Sequence, residues 1–297
     1  MSRPAIVVVG GQTASGKSAL ALELAKDLDG ELIAADSRQV YAGLSIASAG
    51  PSDDERSQCA HHLYGAFNPA TTTLTAGEFV AAADAAMEEI VGRGKVAIVV
   101  GGTGLYLRSL RLGLSPDLPR DEALRRRLDG QLHTDGLQAL VTQLRNVDAA
   151  AAARIDLHNP VRVLRALEIA LLGGDAGGRD VDNLLQQPPR ALLQQAVWWR
   201  VEPEADVVER AIVRRVDAMF TAGLVEESAA LAERLVPEHP LLSTMGTEEA
   251  LRVHRGELSV RDAAAAIVTR TRQYARRQRT WFRKEPWWTP VAPTPRW

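Results

Sequence analysis

Gly11-Gln12-Thr13-Ala14-Ser15-Gly16-Lys17-Ser18 decides the reading of this chain. The eight residues fit G-x-x-x-x-G-K-[S/T], and their flanks fit as well. Ala5 to Val9 is a short β-branched run, the pattern of a buried parallel strand. Ala19 to Leu28 is rich in alanine and leucine and amphipathic, the pattern of a helix. Strand, glycine loop and helix in that order are the context in which this motif holds phosphate. Glycine lets the backbone wrap closely around an anion, and the free N–H groups of the helix start point at its oxygens, aided by the helix dipole. The predicted anion site is therefore Gly11, Thr13, Ala14, Ser15, Gly16, Lys17 and Ser18. Lys17 supplies a point charge, and Ser18 a hydroxyl suited to Mg²⁺. The bland alternative, a glycine turn that binds nothing, leaves the context unexplained.

At 297 residues the chain has material for one large domain or two smaller ones. A charged fraction of 24% and a hydrophobic fraction of 46% are ordinary for a soluble globular protein. A net charge of −2 excludes a protein that is basic overall, while allowing a local basic patch. Cys59 is the only cysteine, so no intrachain disulfide can form and a cytoplasmic protein is expected. The first residues, one arginine and a short apolar run leading into the glycine loop, do not read as a signal peptide. No apolar run approaches the roughly 18 residues of a membrane span, so no membrane partner is expected.

A second strand, Glu31 to Ala35, ends at Asp36-Ser37-Arg38-Gln39-Val40-Tyr41. An acid at the carboxyl end of a strand beside a phosphate loop sits where open α/β sheets bind ligands. Asp36 is thus a candidate base or metal-linked carboxylate; an N-cap is the competing role. Residues 42–75 are loop-rich. His61-His62 lacks a second cluster with metal-ligand spacing, and is expected to hydrogen-bond or pack near the substrate. Ala76 to Ile90 reads as a helix and Val96 to Val100 as a third buried strand, ending in Gly101-Gly102-Thr103-Gly104-Leu105-Tyr106. A phosphate-loop ATPase often places an aspartate after such a strand. The glycines and threonine found here count against ATP hydrolysis and permit a second close backbone approach to ligand.

From Ser115 to Arg190 the pattern becomes helical: Leu124–Leu132, Gly136–Leu144, Ala149–Ile155 and Pro160–Leu172, with a return linker at Gly173–Gly178 and Pro188-Pro189. Arg125, Arg126, Arg127, Arg162 and Arg165 make this insertion locally basic, which a solvated face explains equally well. Ala196 to Val201 reads as a strand of the first sheet. Val207–Ala222, Glu226–Leu235, Glu248–His254 and Val260–Arg283 read as helices. In the last, Ile267, Tyr274 and Trp281 form the expected buried stripe. Arg270, Arg272, Arg276, Arg277, Arg279 and Arg283 cover much of the rest with few acids between them, which suits a nucleic-acid backbone better than a merely solvated face. The tail from Pro286, with four prolines and three tryptophans, is expected to lie extended on the surface. The expected fold is α/β: a P-loop NTPase-like parallel sheet flanked by helices (residues 1–114 and 191–285), an all-helical insertion (115–190) and a tail (286–297).

Seven stretches in order along the chain, GQTASGKS (11–18), ADSRQVY (35–41), HHL (61–63), GGTGLY (101–106), NPVRVLRALE (159–168), RVDAMFTAGLVEE (215–227) and TRQYARRQRTWFRK (271–284), resemble the tRNA dimethylallyltransferases, or tRNA isopentenyltransferases, of bacterial type. The resemblance implies that this loop, of a nucleotide- and ATP-binding kind, instead grips the diphosphate of dimethylallyl diphosphate with Mg²⁺. N6 of adenosine 37 in the tRNA anticodon loop then attacks the allylic carbon and diphosphate leaves. It implies Asp36 as general base, Thr103 as a residue of adenosine contact and catalysis, and Arg215 as an aid to the diphosphate. Asp36, Ser37, Arg38, Gln39, Thr103, Arg125, Val161, Arg162, Val163, Leu164 and Arg165 match positions that contact tRNA, and the insertion would clasp the anticodon stem-loop of a monomeric enzyme. The chain departs from the family pattern at Gln12, where proline is usual, at Ala47-Ser48-Ala49-Gly50-Pro51, which lacks a lysine, and at Met245-Gly246-Thr247-Glu248-Glu249. An ATP-dependent small-molecule kinase would share the loop, and an adenylate isopentenyltransferase would share the chemistry without needing the insertion.

Overall fold

Ile6–Gly11 (β1) is buried along its whole length, as a β-branched run between two helical layers must be. In the computed structural model, which describes residues 3–113, 121–173 and 189–293, it is an inner strand of a parallel sheet. The other strands are Gly30–Ala34 (β2), His61–His62 (β3), Val96–Gly101 (β4), Val197–Val201 (β5) and Thr289–Val291 (β6), in the order β3-β2-β4-β1-β5-β6. Val7 pairs in register with Ile98 on one side and Val197 on the other.

Alternation along the strands feeds two cores. Val7, Val9, Leu32 and Ile98 face Lys17–Asp27 (α1), which buries Leu20, Ala21, Leu22 and Ala25 against them. Val8, Ile33 and Val99 join a larger core with Phe79, Ala83, Met87 and Ile90 of Ala76–Gly92 (α3) and Leu107 and Leu110 of Gly104–Leu112 (α4). Asp53–Gln58 (α2) is a short surface helix closed by a Ser52–Glu55 capping box, and Thr75 with Glu78 forms another at the start of α3. The carboxyl ends of β1, β2 and β4 lead into the glycine loop, Asp36 and Gly101-Gly102-Thr103 respectively.

The chain divides into two compact units, residues 1–113 with 188–297, and residues 114–187. In the second, Glu122–Val147 (α5), Ala149–Arg154 (α6) and Pro160–Leu171 (α7) enclose Leu128, Leu140, Leu144, Val163 and Leu167, with no strand among the described residues. Gly136, at φ 78°, breaks the helical path inside α5, which is why the sequence shows two shorter helical runs there. Most of the expected glycine-rich linker falls outside the described residues.

The first unit continues with Ala205–Thr221 (α8), Leu224–Arg234 (α9), Thr247–His254 (α10) and Val260–Lys284 (α11). Two expectations are corrected here. The buried stripe of α11 is Ala263, Ile267, Thr271, Ala275, Gln278 and Phe282, while Tyr274 and Trp281 are only half-buried. The steps of three and four follow the 3.6-residue turn, from which a strict seven-residue repeat drifts. The residues after Pro286 are not merely a surface tail: Thr289–Val291 extends the sheet, and Trp288 is buried against Trp198 and Phe282. Gly10 makes room for this, because a Cβ there would lie 2.6 Å from both Phe282 and Trp288. No described helix is long and apolar enough to cross a membrane.

Candidate active site

The loop after β1 turns through two residues with positive φ, Ala14 at 59° and Gly16 at 86°, and Gly16 caps α1. Gly11 has no space for a side chain, since a Cβ would sit 2.8 Å from Ser15 Oγ and 2.9 Å from the Val201 carbonyl. Lys17 folds back so that Nζ donates to the Gln12 carbonyl at 3.3 Å. Burial, and next the nearby Arg215 guanidinium, push its pKa down to about 8 against the pull of Asp36. Arg215 arrives from α8, and burial lowers its pKa too while Asp36 opposes the shift. A site holding two poorly solvated cations and one carboxylate has unspent attraction for an anion.

Thr13 is the joint of this arrangement. Its hydroxyl accepts from Arg215 Nη1 at 3.0 Å, and its N–H donates to Gln278 Oε1 at 2.7 Å. Gln278 is buried, and its Nε2 donates to the Gly102 carbonyl at 2.8 Å. One side chain of α11 thus ties the glycine loop to the loop after β4. The glycines of that second loop serve packing: a Cβ at Gly102 would meet Gln278 Nε2 at 2.6 Å, and one at Gly104 would meet the Trp281 ring at 2.6 Å. The expected close approach to ligand is taken up by the protein's own side chains.

Asp36 follows β2, caps the turn after it and faces a cavity. Oδ1 accepts from Arg38 N at 2.9 Å and Gln39 N at 3.5 Å, capping the turn, while the residue lines a cavity of about 240 Å³. Lys17, Arg215, Thr13, Ser37 and Arg38 line the same cavity. So do apolar Val216, Met219, Met245 and Ile267, the hydroxyl-bearing Ser243, Thr244 and Thr271, and Tyr274, whose phenol burial and then Asp36 push up to about 12. Thr103 stands behind the wall and accepts from Ser37 N at 2.9 Å. Gln39 spends its amide on Ser48 and Ala49 carbonyls at 3.1 and 2.9 Å. Ser18, on the first turn of α1, is exposed.

Other sequence expectations fare differently. The histidines are not among the residues lining the cavity: His62 Nε2 is 2.7 Å from buried Glu31, which also pairs with Arg93 and Lys95, and His61 Nδ1 bonds the Cys59 carbonyl. In the helical unit Val161 and Arg162 are exposed, but Val163 and Leu164 are buried in that unit's own core. Arg165 and Arg125 pair with buried Glu168 at 2.7 and 3.9 Å. The arginines of α11 also have more acidic company than their own helix suggests. Arg270 pairs with Glu248 and Glu249, Arg272 with Glu209, and Arg283 with Glu202. Sequence reasoning missed Gln278, Thr271, Met219, Ser243 and Thr244. Only the first two left a signal, as polar residues on the buried steps of a helix.

Residues 39–285 match the family model described as IPP transferase. A tRNA dimethylallyltransferase of Anaeromyxobacter dehalogenans (strain 2CP-C) is 44% identical over 289 residues, covering 97% of this chain and 95% of that protein. The full-length tRNA isopentenylpyrophosphate transferase of Bacillus halodurans is similar in structure with a TM-score of 0.67 at 32% identity, covering 98% of this chain and 90% of that one. A eukaryotic dimethylallyltransferase caught acting on tRNA shares the fold, with a TM-score of 0.76 at 24% identity over 99% of this chain and 75% of that one.

Proposed function

The chain belongs to the IPP transferase family, and from that premise we infer that it transfers the dimethylallyl group of dimethylallyl diphosphate to N6 of adenosine 37 in the anticodon loop of tRNA. The observation that carries this reading is the mixed lining of one cavity. Lys17 and Arg215 suit a diphosphate, Val216, Met219, Met245 and Ile267 suit a five-carbon allylic chain, and Asp36 offers a proton acceptor. The N6 lone pair attacks the allylic C1, the C1–O bond breaks, and its electrons leave on diphosphate. Asp36 takes the N6 proton. Lys17 and Arg215 stabilise the charge that grows on the leaving oxygen, where preorganised cations act most strongly.

The residues present fit Mg²⁺ bound chiefly through the substrate. Mg²⁺ is commonly held by one or two protein oxygens plus phosphates and water. Ser18 offers a hydroxyl and Asp36 a carboxylate, and no cluster of three His, Cys, Asp or Glu suited to a protein-only cage exists among the described residues. When bound, the ion would neutralise part of the diphosphate charge. Nothing acidic follows β4, where a phosphate-loop kinase often carries its metal-binding aspartate, so the kinase reading gains no support.

Asp36→Asn keeps the turn-capping oxygen and removes the basicity. It should leave binding of both substrates within about twofold and lower kcat by roughly 10²–10⁴. Lost tRNA binding with unchanged kcat would make Asp36 a recognition residue instead.

A further inference from the structure

Ile46 to Ala49 contributes Ala47, Ser48 and Ala49 to the cavity wall, yet its local bonds, from Ser48 N and Oγ to the Leu44 carbonyl and from Ala49 N to the Ile46 carbonyl, stay within the loop and tie it to no other element. The anchors come from elsewhere. Glu227, on the first turn of α9, accepts from two consecutive amides, Ile46 N at Oε2 and Ala47 N at Oε1, both at 2.8 Å. From the opposite direction Gln39 donates to the Ser48 and Ala49 carbonyls. Four successive residues thus have a backbone group fixed by only two side chains, and Gln39 sits on the turn that Asp36 caps. Ala49 is held at φ 52°, a conformation that a non-glycine residue keeps only when its surroundings impose it.

We propose that Glu227 is a positioning residue: its carboxylate holds Ile46–Ala49 as the fixed wall of the prenyl diphosphate cavity. Two amide bonds to one ionised carboxylate are stronger than neutral ones and fix direction as well as distance. Apolar packing of Ile46 and Ala47 near Leu224 and Val216 keeps the segment close, but packing alone does not set where its backbone points. The carboxylate touches no reacting atom. Its loss should therefore weaken binding of ground state and transition state alike, raising KM while sparing kcat.

This rests on the reading of the cavity as the dimethylallyl diphosphate site, so the test carries one readout that needs no substrate. Glu227→Ala and Glu227→Gln are prepared in the full chain, and hydrogen exchange is followed by mass spectrometry. Faster exchange confined to residues 45–50 is expected, larger for Ala than for Gln, which keeps one acceptor. With tRNA saturating, KM for dimethylallyl diphosphate should rise about tenfold in Glu227→Ala and about threefold in Glu227→Gln, with kcat within threefold of the parent. If Glu227→Ala does not fold, Glu227→Gln decides alone. Unchanged exchange at 45–50 in a folded variant overturns the proposal, as does a fall in kcat at constant KM. If the parent protein itself fails to use dimethylallyl diphosphate, the functional reading fails, while the exchange result still decides whether Glu227 holds the loop.

Discussion

At the scale of single residues, Lys17 carries a charge that its surroundings disfavour. Burial and Arg215 hold its pKa at about 8, from an ordinary 10.5. The sign follows from linkage. A lysine depressed on folding costs stability fully below pH 8, and that cost fades as pH rises through 10.5. A bound diphosphate favours the charged form and raises the pKa again. Affinity for dimethylallyl diphosphate without RNA should thus be flat below pH 8 and fall up to tenfold per unit above it. Calorimetry near pH 9 in two buffers of different ionisation enthalpy should show uptake of about one proton on binding. A flat profile with no uptake would place Lys17 outside the anion site. The positions of Lys17 on the glycine loop and of Asp36 after β2 were legible because a motif and a strand end announced them. Gln278 showed only as a polar residue on a buried step of α11; the two loops it joins were hidden, because no local pattern encodes which loops that helix crosses.

At the scale of elements, α11 is organised less by its arginines than by its buried steps, where Gln278 joins the loops after β1 and β4. Gln278→Ala strands a part-buried N–H and a buried carbonyl, and should cost about 2–6 kcal/mol in urea unfolding, since each orphaned group costs roughly 1–3 kcal/mol. Diphosphate affinity should fall with it. Unchanged stability would mean that water replaces both bonds. Strands β1, β2 and β4 and most of the helices were readable because parallel strands buried on both faces are continuous apolar runs and helices keep their period, while α2 and β3 lie in residues 42–75, expected to be loop-rich. The pairing of Thr289–Val291 with β5 was hidden, since a proline-rich segment lacks strand patterning. Only the packing of Trp288 beside Gly10 reveals why it docks.

At the scale of the whole molecule, the formal charge of −2 hides an uneven distribution, and the ion pairs sort the arginines by how much charge each has to offer. Arg276 is exposed and has no ion pair among the described residues, whereas Arg272 is matched by Glu209. If α11 lies along RNA, Arg276→Ala should flatten the log–log salt dependence of tRNA binding by about one unit, and Arg272→Ala by clearly less. Equal effects would mean that the Glu209 pair opens on binding. The helical character of residues 122–171 was plain from the sequence, but nearby Glu168 answers both Arg165 and Arg125, and the acids that answer the arginines of α11 come from distant turns of chain, so the expectation of an unopposed basic face went too far. Transfer itself is the most direct measurement. Radiolabelled dimethylallyl diphosphate is incubated with the protein and Mg²⁺, offering in parallel unmodified tRNA with adenosine at position 37, the same tRNA with guanosine there, and AMP. Label should enter the first tRNA alone and be found on N6 of adenosine 37 after nuclease digestion. Equal labelling of AMP, or labelling that ignores position 37, would contradict the account.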